Sequence, residues 1–155
     1  MKTAALITVA GQSLRMGAFK PLLPINGKPM AALTADVFSQ AGITDLFFVI
    51  GKRGEEIVSA LQGRGIRFLW NRDYETTEMF ASIQIGLSAV RDEGGFDAAF
   101  LLPGDMPAVT PQVLGQLLGE MEQGGWDIVF PSTGTHRLHP PLVSASLFDT
   151  LIGYS

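Results

Sequence analysis

Short apolar runs that alternate with stretches of helical spacing constrain the fold of this chain more than any other feature. Each run is rich in β-branched and aromatic residues. The run LFFVI over 46–50 is apolar at every position, which is typical of a strand covered by helices on both faces. The alternation predicts a three-layer α/β domain with a mostly parallel sheet. Strands are predicted at 4–9, 46–50, 66–70, 98–102 and 128–130, and helices at 29–41, 54–62, 79–92 and 110–122.

The ends of these elements and the bulky residues allow more detailed predictions. Thr110 and Pro111 are typical of the N-cap and first turn of a helix. A further strand is predicted at 141–144, followed by a helix at 145–152. Trp70 and Trp126 are expected to fill the core between sheet and helices.

Composition excludes several classes of protein. The 155 residues are 46% hydrophobic, which favours one folded domain over residues 1–155. There are 11 Lys and Arg against 15 Asp and Glu, which disfavours a nucleic-acid partner. The chain has no cysteine, which excludes a disulfide scaffold, a thiolate metal site and a cysteine nucleophile. No apolar run reaches the length of a membrane span, so we expect a cytoplasmic protein with no membrane partner.

The loop after the first predicted strand, AGQSLRMGAFK over 10–20, has the composition of a phosphate-binding loop. Gly11 and Gly17 allow a ligand to approach the backbone, whose N–H groups can face phosphate oxygens. Arg15 and Lys20 can neutralise a polyphosphate, and ligands of parallel sheets bind where the strands end. A connecting loop with two solvated cations is the alternative interpretation.

The loop fits neither of two widespread phosphate motifs. A P-loop requires four residues between its glycines and a lysine directly after the second, but five residues separate Gly11 from Gly17, and Ala18 follows. The dinucleotide motif GxGxxG is absent because Ser13 occupies the second glycine position.

An acidic residue follows the predicted strand at 98–102. Asp105 comes after Pro103-Gly104, at the end of the strand where ligands bind. A single carboxylate there suits Mg²⁺, which keeps several waters and takes other ligands from substrate phosphates. Asp105 could instead shape the turn before Pro107, as aspartate often does.

The segment AGQSLRMGAFKPLLPINGKP resembles the signature of the MobA-like nucleotidyltransferases, and within them most closely the molybdenum cofactor cytidylyltransferases. The resemblance continues through Asn71 to Leu87, LLPGDMPAVT at 101–110 and His139-Pro140. It implies a Rossmann-like, glycosyltransferase-A-like fold of the nucleotide-diphospho-sugar transferase type. The implied reaction is Mg²⁺-dependent transfer of a nucleotidyl group from an NTP to a phosphorylated acceptor.

The resemblance also implies roles for individual residues. Arg15 and Lys20 would be the catalytic cations, Asp105 would bind the metal, and Arg137 and His139 would bind the acceptor. The nucleotide would be bound by Ala10, Gly11, Gln12, Ser13, Asn71 and Ser82.

The resemblance is less specific about the substrates than about the site residues. Ala10 resembles the cytidylyltransferase form of the motif, so we expect CTP rather than GTP, with a molybdopterin-like acceptor. A molybdoenzyme or chaperone would be a fitting protein partner. A sugar phosphate or methylerythritol phosphate acceptor is the alternative within enzymes, and a nucleotide-binding module without turnover is the alternative outside them. Full-length relatives carry a late DxDTPED-like segment that this sequence lacks, so we expect a C-terminally truncated domain without its last strands.

Overall fold

The computed structural model describes residues 1–11, 18–106 and 109–155. The helices are α1 (Met30–Gln40), α2 (Gly54–Ala60), α3 (Met79–Glu93), α4 (Pro111–Gln123) and α5 (Phe148–Ile152). The strands are β1 (Thr3–Val9), β2 (Pro24–Ile25), β3 (Lys28–Pro29), β4 (Asp45–Ile50), β5 (Arg67–Trp70), β6 (Ala98–Pro103), β7 (Ile128–Val129), β8 (Ser132–Thr133), β9 (His136–Arg137) and β10 (Leu142–Ser144).

The central sheet has six strands in the order β5-β4-β1-β6-β10-β7. Strands β5, β4, β1 and β6 run parallel, and β10 is antiparallel to both β6 and β7. In the middle of β1, Leu6 stands opposite Phe47 on one side and Leu101 on the other. The mostly parallel α/β fold predicted from the alternating pattern is therefore confirmed.

The side chains of β1 divide the core into two halves. Ala5, Ile7 and Val9 belong to the cluster that includes apolar residues of α1, α2 and α4. Ala4 and Leu6 belong to the cluster on the opposite face, which includes residues of α3 and α5. Because alternate residues of a strand point to opposite faces, this division produces the three predicted layers.

The predicted helix boundaries agree closely with the structure at α4. The Thr110 side chain caps this helix by accepting a hydrogen bond of 3.3 Å from the backbone N–H of Val113. Pro111 occupies the first helical position. The segment predicted as a helix at 145–152 is divided into a 3-10 turn, Ala145–Leu147, and the short helix α5.

The position of Trp126 and two short hairpins also differ from the sequence expectations. Trp126 is 57% exposed, so its predicted core role is wrong: the residue follows two glycines with positive φ that end α4, and it lies in the turn before β7. The hairpins of β2 with β3 and of β8 with β9 were not predicted, although Asn26 and Gly27, both with positive φ, form the turn of the first, and Gly134, also with positive φ, lies in the turn of the second. Within the described ranges, no helix combines the length and apolarity needed to cross a bilayer.

Gly86 allows α3 to approach the centre of the sheet. A Cβ at this position would lie 2.1 Å from Leu6 Cδ1, and Leu6 is fully buried. Since a tightly packed core transmits such an overlap to its neighbours, any side chain here must displace α3 or β1.

Gly86→Ala should therefore lower the free energy of unfolding by about 1–3 kcal/mol, the usual cost of overpacking a core. Gly115→Ala is the matched control, because a Cβ at this position in α4 would have no neighbour within 4 Å. That variant should be as stable as the parent or up to about 1 kcal/mol more stable, since alanine is the better helix former. Urea unfolding of the three proteins measures both effects, and equal stability of the two variants would contradict the close approach.

Candidate functional site

A cavity of about 330 Å³ lies at the carboxyl ends of the parallel strands. The chain passes from β1 to β4 and β5 on one side, and later returns to β6 on the other side of β1. The strands that follow β1 therefore lie on one side of it and those that follow β6 on the other, and open α/β sheets bind ligands at such a reversal of strand order. The lining residues are Thr8, Val9, Ala10, Gly11, Lys20, Pro21, Asn71, Tyr74, Thr77, Glu78, Met79, Ser82, Pro103, Gly104 and Asp105.

The loop after β6 lies directly against the end of β1. The backbone N–H of Gly104 donates a hydrogen bond of 3.0 Å to the Thr8 carbonyl oxygen. A Cβ on Gly104 would lie 2.1 Å from Val9 Cγ1, so a side chain at this position would push Gly104 away from the end of β1. Glycine here fixes the distance between Asp105, which follows it, and the backbone at Ala10 and Gly11.

Two opposite charges lie next to each other in the cavity lining. Lys20 Nζ lies 4.0 Å from Asp105 Oδ2, and both side chains retain solvent exposure, 25% and 39% respectively. An exposed pair at this distance contributes little to stability, so both groups stay available to a ligand. Lys20 is the first residue of a 3-10 turn that follows Phe19, a buried side chain that anchors this segment in the core.

A hydrogen-bond network centred on Asn71 forms another part of the cavity lining. The Asn71 Nδ2 group donates to Thr77 Oγ1 and to Ser82 Oγ, both at 3.0 Å. Its Oδ1 accepts from the backbone N–H of Asp73 at 3.0 Å, and its own backbone N–H donates to the Ile50 carbonyl at 2.8 Å. Asn71 and Ser82 are each 3% exposed. The network ties the end of β5 to the beginning of α3.

The turn that this network supports brings further polar side chains to the cavity. Tyr74 packs on Gly51 at the end of β4, where a Cβ would lie 2.8 Å from the tyrosine ring. Glu78 is the residue before α3, and its side chain does not cap the helix. Tyr74, Thr77 and Glu78 thus add an aromatic ring, a hydroxyl and a carboxylate to the cavity that Lys20 and Asp105 also line.

The structure brings most of the predicted site residues together. Those that line the cavity are Ala10, Gly11, Lys20, Asn71, Ser82 and Asp105. Gln12, Ser13 and Arg15 lie outside the described residues, so their predicted roles stay predictions.

The two predicted acceptor-binding residues lie elsewhere in the described structure. Arg137 is an exposed residue of β9, and its guanidinium carbon lies 5.1 Å from the centre of the Phe130 ring. His139 is exposed and follows the hairpin that β9 forms with β8. Neither residue is among those that line the cavity. Their role in acceptor binding stays a prediction.

Sequence reasoning missed Tyr74, Thr77 and Glu78. The signal that could have identified them is the stretch Asp73 to Thr77, rich in residues that form side-chain-supported turns, between two residues predicted to bind the nucleotide. Such a stretch must turn back on itself if both flanking residues are to reach one cavity.

The described residues offer a single type of donor for a hard cation. In residues 1–11, 18–106 and 109–155, no group of three or more His, Cys, Asp or Glu lies close enough together to hold a metal ion. Asp105 supplies one exposed carboxylate beside a cation, Lys20. One carboxylate is a donor set that fits Mg²⁺ or Mn²⁺ when a substrate supplies further oxygens.

The chain belongs to the family of MobA-like NTP transferase domains, which it matches over residues 5–154. The bifunctional protein GlmU from Chromohalobacter salexigens is 30% identical over 125 residues, which cover 79% of this chain and 26% of that protein. A probable molybdenum cofactor guanylyltransferase from Natranaerobius thermophilus is 26% identical over 142 residues, which cover 86% of this chain and 62% of that protein. The chain thus spans only part of the length of each relative.

Solved structures share the fold. A nucleotidyl transferase from Methanothermobacter superposes with a TM-score of 0.83 at 24% identity, covering 99% of this chain and 76% of that one. The manganese complex of Rv0371c from Mycobacterium tuberculosis has a TM-score of 0.80 at 22% identity, covering 99% and 77%. A CMP:2-keto-3-deoxy-manno-octonic acid synthetase complexed with CTP has a TM-score of 0.75 at 16% identity, covering 97% and 77%. At these identities the likeness shows the Rossmann-like fold.

Lys20→Ala should weaken the binding of tripolyphosphate by about tenfold or more, because it removes a cation from the cavity wall. Lys28→Ala is the matched control: Lys28 is 57% exposed and lies 3.1 Å from Asp36, and it does not line the cavity. Isothermal titration with tripolyphosphate measures both affinities. Equal affinities for the two variants would mean that Lys20 does not face the bound anion.

Proposed function

We propose that this domain transfers a nucleotidyl group from an NTP to a phosphorylated acceptor and releases pyrophosphate. The observation that carries the proposal is the cavity itself. Lys20 and Asp105 lie 4.0 Å apart in its lining, and the buried, hydrogen-bonded pair of Asn71 and Ser82 lines the same cavity. A charged end and a polar, partly apolar end suit the two parts of a nucleoside triphosphate. The family and its nucleotidyltransferase relatives support the same reaction.

In this reaction an oxygen of the acceptor phosphate forms a bond to the α-phosphorus. The bond between that phosphorus and the oxygen bridging to the β-phosphorus breaks, and pyrophosphate leaves with the electron pair. The acceptor phosphate is ionised at neutral pH, so no side chain is required to remove a proton from it. The domain therefore acts by positioning the two reactants and by neutralising charge.

Individual residues contribute separately to positioning and to charge neutralisation. Lys20 balances the negative charge that develops on the departing pyrophosphate. Gly11 exposes the backbone beside it, so that a phosphate can approach the end of β1 closely. Arg15 is proposed as a second cation on the same phosphates, and the amides of Gln12 and Ser13 as further donors. Ser82 and the loop before it bind the nucleoside.

Asp105 is proposed as the protein ligand of a divalent cation, with Mg²⁺ as the physiological ion. When bound, such a cation supplies additional positive charge to the triphosphate oxygens. Asp105 suits this role because its carboxylate is exposed to the cavity and held next to β1 by the contact of Gly104 with Val9. The manganese complex of a protein of the same fold supports the proposal.

CTP is proposed as the preferred nucleotide and a molybdopterin-like phosphate as the acceptor. Ala10 supports the choice of CTP, because it lines the cavity and occupies the position at which, by the sequence resemblance, guanylyltransferases typically carry glycine. The probable molybdenum cofactor guanylyltransferase supports the acceptor class, and the GlmU relative keeps a sugar phosphate as the alternative acceptor. Arg137 of the β8–β9 hairpin and His139, which follows it, are proposed to contact the acceptor.

Pyrophosphate release from CTP in the presence of molybdopterin tests this proposal. The parent should release pyrophosphate only when Mg²⁺ and acceptor are both present, and faster with CTP than with GTP. Asp105→Asn should lower the Mg²⁺-dependent rate by about a hundredfold, the scale of losing one electrostatic group at a reacting centre. Asp92→Asn, a change at an exposed carboxylate paired with Arg91, is the control and should keep the parent rate.

Different results would contradict different parts of the proposal. Full Mg²⁺-dependent turnover by Asp105→Asn would remove the metal role of that residue. Turnover with a sugar phosphate and none with molybdopterin would replace the acceptor. Tight binding of CTP without release of pyrophosphate from it in the presence of any acceptor would make the domain a nucleotide-binding module.

A further inference from the structure

The Asn71 side chain has no free hydrogen-bond donor to offer a ligand. A primary amide carries two N–H donors, and Asn71 uses one for Thr77 Oγ1 and the other for Ser82 Oγ, each at 3.0 Å. Its oxygen accepts from the backbone of Asp73. With 3% of the residue exposed, the amide is enclosed by these partners. A direct contact with a nucleotide would require at least one of these hydrogen bonds to break.

Ser82 is in the opposite situation. Its hydroxyl oxygen accepts the hydrogen bond from Asn71, and within the described part of the chain it donates none. A hydroxyl that accepts from one direction must place its own proton in another direction. Ser82 lines the cavity, where a ligand oxygen could accept this proton.

Thr77 differs from Ser82 because both of its hydrogen-bonding functions are used internally. Its Oγ1 accepts from Asn71 and donates to the Asp73 carbonyl at 2.8 Å. Thr77 therefore closes the turn that presents Tyr74 to the cavity. Asn71 thus holds two groups at once: the turn through Thr77, and the hydroxyl of Ser82.

We propose that Asn71 is a positioning residue that does not touch the nucleotide and instead orients the Ser82 hydroxyl as a donor to an oxygen of the nucleoside. This inference rests on the proposed function and replaces the direct nucleotide contact that the sequence resemblance implies for Asn71. It divides the cavity in two: Lys20 and Asp105 serve the phosphates, and Ser82, oriented by Asn71, serves the nucleoside.

A double-mutant cycle on CTP affinity tests the inference. The proteins are the parent, Asn71→Ala, Ser82→Ala and the double variant, with CTP binding measured by calorimetry. Ser82→Ala should weaken binding about tenfold, as expected for loss of one hydrogen bond to the ligand. Asn71→Ala should weaken it at least as much in the parent background. Because Asn71 acts through Ser82, the fold loss of CTP affinity caused by Asn71→Ala should be about five times smaller when residue 82 is already alanine.

Asn71→Asp provides a second cycle should Asn71→Ala fail to fold. Aspartate keeps the size of the side chain and can still accept from Asp73, but its carboxylate has no donor, so the Ser82 hydroxyl must turn its proton toward it. The added charge repels CTP equally in both backgrounds and cancels in the comparison. The loss of CTP affinity caused by Asn71→Asp should therefore also be smaller in the Ser82→Ala background.

Tripolyphosphate serves as the control ligand because it lacks a nucleoside. Its affinity should stay within about twofold of the parent in Ser82→Ala and Asn71→Ala, since sites without shared partners are independent. A loss equal to that for CTP would mean that Asn71 holds the whole cavity, which overturns the inference.

The remaining outcomes are also decisive. If the Asn71 substitutions reduce CTP affinity by the same factor with serine or with alanine at position 82, Asn71 contacts the nucleotide itself. The inference is then wrong while the proposed function stands. If Asn71→Ala leaves CTP affinity unchanged, the inference is wrong in the same way. A folded parent that binds neither CTP nor GTP would overturn the proposed function, and this inference with it.

Discussion

The parallel pairing of β1 with both β4 and β6 is the constraint on which the rest of this structure depends. It places β1 at the centre of the parallel strands, with apolar side chains buried on both faces, and it requires helices in both outer layers. It also directs the chain to opposite sides of β1 before and after α3. The position of the cavity at this reversal of strand order follows from this topology, before any side chain in it is considered.

Small residues then determine how closely the parts of the site approach one another. Gly86 lets α3 rest on Leu6, and Gly104 lets the loop after β6 rest on Val9. The first contact positions the helix that carries Ser82, and the second positions the loop that carries Asp105. Packing in the core and the distances in the cavity are therefore linked: a shift of α3 or of the loop after β6 would change the separation of the proposed nucleoside and phosphate ends.

The sequence predicted the architecture well because the strands are buried on both faces and their apolar pattern is strong. The predicted strands of the central sheet and the helices α1 to α4 occur in the predicted order, and the loops predicted to follow the strands at 4–9 and 98–102 contribute lining residues to the cavity. The hairpin of β2 and β3 was missed because its strands are only two residues long, although Asn26-Gly27 is a strong turn signal. The wrong prediction for Trp126 has a different origin, since residue size indicates a preference for burial but not the direction of a side chain in a turn. The hydrogen-bond partners of Asn71 were equally inaccessible from the sequence, because they depend on how the segment from Asp73 to Thr77 folds back.

A crystal structure of the domain with CTP and Mg²⁺ would show directly whether the cavity binds the nucleotide in the proposed orientation. We expect the triphosphate beside Lys20 and Gly11, with a nucleoside oxygen within hydrogen-bond distance of Ser82 Oγ and the Asn71 amide still bound to Ser82 and Thr77. CTP bound outside this cavity, or bound in it with the base against Lys20 and the phosphates against Ser82, would contradict the account.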